Sequence, residues 1–266
     1  MSTRAQQHDA VVLRREPLSD HLVRLVLGGD GLAGFRSTGV PDEWVGLVVP
    51  GQFQSRYYTV RSWDADGSGE LVLDVVVHEV GLVTEWASRD CVGERVVLTA
   101  PAGSFDPPPD AQWLWLVGDM TAMPAIARIV ETVGDSRPTL RIWAEVPDEP
   151  GLSDYLPADA PVTWLRPPAL ESSALAEVVA GLDWPTEPGY FWMAGESAQM
   201  RQIRAYLKRD RGLPNSAYDV MGYWRGVAKR QPRAVDPGPI WRAGKAAGKS
   251  DEEIWSEYDA ARESNR

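Results

Sequence analysis

Three consecutive prolines at 107–109 separate two halves of the sequence that have different hydrophobic periods, and this change constrains the fold most. Proline lacks an N–H donor, so the segment SFDPPPDAQ cannot continue a helix or a central strand. A chain of 266 residues is long enough for two packed cores. We therefore predict one domain at 1–108, a second at 109–228, and a linker with a C-terminal helix at 229–266.

Before the prolines, six short segments have the residue pattern of strands and are separated by Gly, Pro or Asp turns. They are VVLRR, HLVRLVLG, WVGLVVP, SRYYTVRSW, ELVLDVVVH and ERVVLTA. Strands of this length and spacing predict an antiparallel barrel. One interruption, Gly81 to Arg89, has Val83, Trp86 and Ala87 at helical spacing, which predicts a short helix between two barrel strands.

After the prolines, strand and helix patterns alternate. The strand segments are WLWLV, LRIWAEV, VTWLR, YFWMA and AYDVMGYW. This alternation predicts a parallel sheet covered by helices. The final segment SDEEIWSEYDAARE opens with a capping box, Ser250 with Glu253, and predicts the C-terminal helix. The predicted fold class is thus an N-terminal antiparallel β-barrel followed by a parallel-sheet α/β domain with a C-terminal helical extension.

Composition excludes several function classes. A formal net charge of −11 and a pI near 4.8 argue against a nucleic-acid partner, because phosphate binding needs a basic surface. The single cysteine, Cys91, cannot form an internal disulfide, a cysteine-ligated iron-sulfur cluster or a multi-cysteine zinc site, so we predict no metal site. We see neither a leader segment nor an apolar run of about 18 residues, so we expect a cytoplasmic protein without stable membrane insertion.

The strand RYYTVR, residues 56–61, carries the groups that a flavin needs. Strand alternation places Arg56 and Tyr58 on one face and Thr59 and Arg61 on the other, unless the strand bulges. A flavin is a flat ring joined to a pyrophosphate, so it binds an aromatic face, a hydroxyl near its N5 atom and fixed guanidinium groups. The alternative is an edge strand with ordinary surface arginines.

The start of the predicted short helix is a second candidate site. Gly81 and Thr84 lie in its first turn, where free backbone donors can bind a pyrophosphate. The alternative is an ordinary helix start with a threonine. His78 ends the preceding strand, and we expect it to contact the ligand rather than act as a base; a hydrogen-bonded structural histidine is the alternative.

The third and fourth candidate sites follow strands of the second half. Open α/β sheets bind ligands where such strands end, although the three-glycine dinucleotide signature is absent here. We expect a dinucleotide to contact Gly118, Asp119, Thr121 and Ala122 after the first strand, and Ala194, Gly195 and Glu196 after a later one. For the later strand, a simple strand-to-helix turn is the alternative. Glu145 ends the second strand, where its carboxylate can accept ribose hydroxyls and favour NADH over NADPH.

The motifs RYYTVR, APAGSF, VGDMTAMPAIARI, FWMAGE and GYWRG occur in the order seen in siderophore-interacting proteins, the FAD-dependent ferric-siderophore reductases. The resemblance runs from about residue 10 to 228. It implies that Tyr58 lies against the FAD ring and Thr59 near N5. The other implied FAD contacts are Arg56, Arg61, His78, Gly81 and Thr84, with Tyr223 and Trp224 as an aromatic end near the flavin. The implied nicotinamide contacts are Gly118, Thr121 and 194–196.

Three positions depart from the wider reductase superfamily. Asp119 and Met120 replace glycines, and Ala194 stands where many of these enzymes have a cysteine.

The resemblance implies that electrons pass from NADH or NADPH through FAD to ferric iron held by a siderophore. The flavin carries this chemistry, so no protein acid or base is obligatory. The candidate cations for an anionic ferric chelate are Arg61, Arg225, Lys229 and Arg230. A ferredoxin is a possible alternative donor. Two other functions remain open: a general flavin oxidoreductase with a protein or quinone acceptor, and a non-enzymatic siderophore-binding flavoprotein.

Overall fold

The computed structural model describes residues 6–52, 54–77, 81–134, 139–152, 154–169, 172–225, 237–251 and 253–257. Six antiparallel strands close into a barrel in the order β1-β2-β5-β4-β3-β6. Their bounds are β1 Gln7–Ser19, β2 Leu22–Gly28, β3 Trp44–Val48, β4 Arg56–Trp63, β5 Leu71–Val76 and β6 Arg95–Thr99. The barrel interior is filled by the inward-facing Val and Leu side chains of these strands.

A short helix, α1 (Leu82–Ser88), links β5 to β6. Its residues Val83, Trp86 and Ala87 are buried against the barrel core, which confirms the helical spacing seen in the sequence. The barrel therefore presents one helix start close to the ends of β4 and β5.

A second sheet of five parallel strands has the order β11-β10-β7-β8-β9. Its strands are β7 Trp113–Asp119, β8 Thr139–Glu145, β9 Val162–Leu165, β10 Gly189–Glu196 and β11 Tyr218–Trp224. The helices α2 (Met123–Val133), α3 (Leu175–Ala180) and α4 (Ser197–Arg209) connect them. Every residue of β7 and β10 is buried, because helices or the barrel cover both faces, and this explains their unbroken apolar runs.

The predicted fold class is confirmed, but the C-terminal region contains a helix that the sequence pattern did not indicate. Helix α5 (Pro237–Ala246) lies where a Pro- and Gly-rich linker was expected. Pro237 occupies the first position, where proline is tolerated. A Cβ on Gly244 would lie 2.4 Å from Ile254 Cγ1, so this glycine allows the final helical segment, described over 253–257, to pack closely on α5.

Buried polar contacts join the barrel to the sheet domain. Arg24 donates two 2.8 Å hydrogen bonds to the carboxylate of Asp74, which also accepts one from the Tyr155 hydroxyl at 2.5 Å. Helix α2 packs against β4, and Arg128 on this helix donates to the Val60 carbonyl. These contacts fix the junction at which β4 faces the sheet. No helix within the described ranges is both long and apolar enough to cross a bilayer.

Candidate functional site

Two buried hydroxyl groups without hydrogen-bond partners mark the junction between β4 and β11. The Thr59 side chain is only 4% exposed, and neither its Oγ1 nor the Tyr223 hydroxyl has a hydrogen bond of good geometry among the described residues. The two hydroxyls are neighbours: burial raises the pKa of Tyr223, and the Thr59 hydroxyl, which lies near enough to interact with it, lowers this pKa. An unsatisfied buried hydroxyl is costly, so the pair fits a polar ligand edge such as the N5 and carbonyl edge of a flavin.

The rest of β4 supplies an aromatic and a cationic group. Arg56 is exposed, and its one hydrogen bond in the described structure is a long 3.4 Å contact with the Ser55 carbonyl. Tyr58 packs against the barrel core, where burial raises its pKa. The sequence reading missed Tyr57, which is 69% exposed, although alternation with Thr59 could have identified it as outward-facing.

Arg61 lies at a bulge of β4, between the paired residues Val60 and Ser62. Its guanidinium donates to both Glu131 carboxylate oxygens on α2, at 2.9 and 2.5 Å, and lies 5.7 Å from the centre of the Tyr155 ring. The predicted roles of Arg61 toward FAD and substrate therefore stay predictions, and either role requires it to exchange or share this carboxylate.

The α1 start has one of the two features expected there. Gly81 has φ 149°, and it has no side chain that could block the free backbone donors of the first turn. The buried Thr84 hydroxyl donates to the Val76 carbonyl at 3.3 Å, so it retains only its acceptor capacity for a ligand. His78 lies outside the described residues.

The carboxyl edge of the parallel sheet carries three buried carboxylates on neighbouring strands. Asp119 ends β7, Glu145 ends β8 and Glu196 ends β10, with exposures of 6%, 2% and 7%. Each accepts hydrogen bonds from the backbone of the segment that follows or faces it. The donors are Thr121 N to Asp119, Ala174 N to Glu145, and Ala198 N with Gln199 N to Glu196. The second oxygen of Glu145, Oε2, has no partner within the described ranges.

Asp119 also bridges two strands that are not adjacent. Its carboxylate accepts from the Trp224 indole N–H at 2.6 Å and from the Thr121 hydroxyl at 2.5 Å. The contact passes over β10 at Gly195, whose φ is 155° and whose added Cβ would lie 2.5 Å from Asp119 Oδ2. Burial raises the pKa of Asp119 to about 6, and the negative charge of Glu145 contributes to this shift.

The small residues predicted to line this edge have a packing role. An added Cβ on Gly118 would lie 2.4 Å from Ala122 Cβ, so Gly118 allows the start of α2 to approach β7. Ala122 and Ala194 are fully buried. Neither side chain is exposed at this edge, and their contact with a dinucleotide stays a prediction.

A further polar cluster, which the sequence reading missed, lies in the APAGSF segment. Asp42 is fully buried and accepts from the Ser104 and Phe105 N–H groups and the Trp192 indole. The Ser104 hydroxyl lies 3.1 Å from Asp42 Oδ2 and 2.5 Å from Asp219 Oδ2. Burial, with the nearby charge of Asp42, raises the pKa of Asp219.

Of the predicted substrate cations, Arg225 is exposed at the end of β11, whereas Lys229 and Arg230 lie outside the described residues. The described part of the chain contains no group of three or more His, Cys, Asp or Glu side chains arranged to hold a metal ion.

Comparisons with known proteins cover both halves of the chain. Residues 51–105 match the family profile described as a siderophore-interacting FAD-binding domain, and residues 111–226 match the profile described as siderophore-interacting protein. An uncharacterized protein of Mycobacterium tuberculosis is 30% identical over 258 residues, which cover 82% of this chain and 90% of the relative.

Two further proteins align over a similar share of the chain. The NADPH-dependent ferric-chelate reductase of Escherichia coli is 26% identical over 240 residues, covering 81% of this chain and 92% of that protein. The crystal structure of a siderophore utilization protein from T. fusca aligns with a TM-score of 0.71 and 28% identity, covering 88% of this chain and 97% of that one.

Proposed function

Because the chain belongs to the siderophore-interacting protein family, we propose that it uses FAD to transfer electrons from NADH or NADPH to a ferric siderophore. One observation carries the FAD assignment: two buried hydroxyls, on Thr59 and Tyr223, lack well-formed hydrogen bonds to any described residue at the junction of the barrel and the sheet. A ligand with polar edge atoms satisfies both groups. The similarity to a ferric-chelate reductase supports the choice of acceptor.

The barrel strand β4 supplies the binding groups. Thr59 Oγ1 donates to or accepts from the polar edge of the flavin, and Tyr58 contacts the ring. Arg56 has no carboxylate partner in the described structure and binds the pyrophosphate, together with the backbone donors at Gly81. When bound, FAD converts the two-electron chemistry of a nicotinamide into the one-electron reduction of iron.

The substrate chemistry fits this assignment. Siderophores hold ferric iron with hard oxygen donors, and reduction weakens such a chelate because ferrous iron prefers softer ligands. Of the predicted substrate cations, Arg225 is the one that the structure describes as exposed, directly after β11. We also propose a cytoplasmic location, since the single cysteine, Cys91, leaves the fold without an internal disulfide.

The direct test is a spectroscopic titration without oxygen. The purified protein is saturated with FAD, reduced with NADH or NADPH, and then mixed with a ferric siderophore. We expect the visible flavin absorbance to disappear with the nicotinamide and to return with the ferric chelate. Return with a quinone but not with the chelate would identify a general oxidoreductase, and no reduction by either nicotinamide would favour a binding protein. Comparing turnover with NADH and NADPH tests the role predicted for Glu145.

Substitution of Thr59 tests the flavin site separately from turnover. Thr59→Val removes a hydroxyl that makes no hydrogen bond of good geometry among the described residues, so we expect the free energy of unfolding of the apoprotein to fall by less than about 0.5 kcal/mol. FAD affinity, measured by flavin fluorescence, should fall about tenfold, or about 1.4 kcal/mol. Thr84→Val is the matched control, because its hydroxyl already donates to Val76 and its loss should destabilise the apoprotein by about 1 kcal/mol. Unchanged FAD affinity in Thr59→Val would contradict the placement.

A further inference from the structure

The carboxyl edge of the sheet, where a dinucleotide binds in open α/β folds, is already filled by the chain's own acidic groups. Phosphates bind at such edges by accepting hydrogen bonds from backbone N–H groups at helix starts. Here Asp119 accepts from the Thr121 N–H, and Glu196 accepts from the N–H groups that open α4. A dinucleotide phosphate therefore competes with buried carboxylates for the same donors.

Whether a phosphate can bind at this edge depends on the charge of Asp119, because the groups that face it do not compensate that charge. Glu145 faces it from β8 and the neutral Tyr223 from β11. Arg128 on α2 is directed at the barrel, where it lies 3.7 Å from Glu43, so it does not compensate this edge. A phosphate placed here meets negative charge in a buried setting, in which like charges repel strongly.

Asp119 also controls the position of Trp224. Its Oδ2 accepts the indole N–H, and the lack of a side chain at Gly195 lets the carboxylate reach across β10. A proton on Asp119 neutralises the carboxylate and leaves its oxygens as weaker acceptors for the indole N–H. Protonation thereby removes a negative charge from this edge and weakens the bond that holds Trp224.

Building on the proposed function, we propose that Asp119 governs dinucleotide binding: the ionised carboxylate, bonded to Trp224, excludes the phosphates, and the dinucleotide binds with uptake of one proton from solvent onto Asp119 Oδ2. Asp119 thus sets the affinity for the dinucleotide and makes that affinity dependent on pH. The raised pKa of about 6 places this change close to neutral pH.

The test measures binding of NAD⁺ and NADP⁺ to the FAD-loaded protein by calorimetry between pH 5.5 and 8. For the wild-type protein, we expect the dissociation constant to rise about tenfold per pH unit above pH 6.5, because the protonated fraction falls by that factor. Asp119→Asn should bind without this dependence and at pH 8 about tenfold or more tightly than wild type. The 2′-phosphate of NADP⁺ titrates equally in both proteins, so it cancels in the comparison.

Proton uptake gives a readout that a merely structural role does not change. Titrations at pH 7.5 in buffers of different ionisation enthalpy should show about one more proton taken up by wild type than by Asp119→Asn. Trp224→Phe keeps the carboxylate but removes a donor that stabilises its charge, so the pH dependence should move to higher pH. This variant also keeps the test valid if Asp119→Asn folds poorly. Asp210→Asn, at the C-terminal end of α4, is the matched control and should behave as wild type.

Two results would overturn the inference: dissociation constants with the same pH dependence in wild type and Asp119→Asn, or equal proton uptake by both. Failure of the proposed function is recognised separately. Protein reduced chemically with dithionite needs no dinucleotide, so its failure to reduce a ferric siderophore rejects the proposed acceptor and leaves the dinucleotide-binding result intact.

Discussion

Substitution of Gly195 by alanine tests the packing that holds Asp119 in place. Gly195 has φ 155°, a backbone conformation that residues with a Cβ rarely adopt. Its added methyl group would lie 2.5 Å from Asp119 Oδ2, well inside contact distance. The carboxylate must then move away, and its bond with the Trp224 indole is lost. We expect Gly195→Ala to destabilise the protein through both effects.

The magnitude follows from the two terms. Backbone strain of this kind costs about 1 to 3 kcal/mol, and loss of a buried hydrogen bond to a charged group costs about 1.5 to 3 kcal/mol. The sum is about 2.5 to 6 kcal/mol of unfolding free energy. Gly212→Ala is the matched control, since Gly212 has φ 66° and no atom within 4 Å of an added Cβ. It carries only the strain term, so we expect a loss of about 1 kcal/mol.

The assay is equilibrium unfolding in urea at pH 7.5 with FAD in constant excess, because ligand binding adds to apparent stability. The double variant Asp119→Ala/Gly195→Ala removes the group that the methyl contacts. Its loss should be smaller than the sum of the single losses by about 1 to 2 kcal/mol. Additive losses, or equal losses for Gly195→Ala and Gly212→Ala, would show that the Asp119 carboxylate is not what requires a glycine at position 195.

Three further predictions concern the junction and the sheet edge. Because the pKa of Asp119 is raised from 3.8 to about 6, its proton stabilises the fold fully below about pH 4, and this contribution is lost as the pH rises through 6. Urea unfolding should therefore show wild type gaining roughly 2 to 3 kcal/mol relative to Asp119→Asn between pH 6.5 and 4, and a constant difference would contradict the raised pKa. Tyr155→Phe leaves the buried Asp74 with one donor fewer and should cost about 1 to 2 kcal/mol in the same assay, whereas no loss would show that Arg24 alone satisfies the carboxylate. Glu131→Gln weakens the pair with Arg61 and should change stability by under about 1 kcal/mol, since Glu131 is half exposed. If Arg61 binds the anionic chelate, this variant should also lower KM for the ferric siderophore in steady-state assays, and an unchanged KM would assign Arg61 to the junction alone.

The fold was predictable because its main signals are local. Alternating residues in the first half and unbroken apolar runs such as those of β7 and β10 depend only on which faces a strand buries. Helix α5 was missed because its proline and glycines oppose helix formation locally. Its stability depends on a partner, since Gly244 makes room for Ile254 ten positions later. Tertiary packing of this kind leaves no periodic signal in the sequence.

The candidate site was predictable as a set of residue types but not as a set of partners. The sequence predicts ligand contacts at Thr59 and at the ends of β7 and β10. It could not show that Arg61 meets Glu131, 70 positions away, or that Asp119 meets Trp224, 105 positions away. These pairings depend on how the barrel lies against the sheet, so a residue's availability for a ligand is a property of the folded chain.

The Ser104 cluster is another set of contacts that only the folded chain brings together. A serine hydroxyl has one hydrogen, yet Ser104 Oγ lies within hydrogen-bond distance of carboxylate oxygens on both Asp42 and Asp219. Asp42 has three other donors that stabilise its charge, whereas burial raises the pKa of Asp219. The single hydrogen of Ser104 can therefore be donated to only one of the two carboxylates at a time.

The buried carboxylates of Asp119 and Asp219 lie on the sheet side of the junction, while Arg56, which has no carboxylate partner among the described residues, lies on the barrel side. On the proposed function, the two halves therefore treat phosphates differently. The guanidinium of Arg56 would bind the pyrophosphate of a cofactor that stays bound through many reaction cycles. In the sheet, the backbone N–H groups can bind a phosphate only if they release the carboxylates that they already contact. This competition would weaken the binding of a dinucleotide that must leave after each delivery of electrons. The opposite charge of the two sides thus separates a resident cofactor from an exchanging donor without requiring different phosphate-binding motifs.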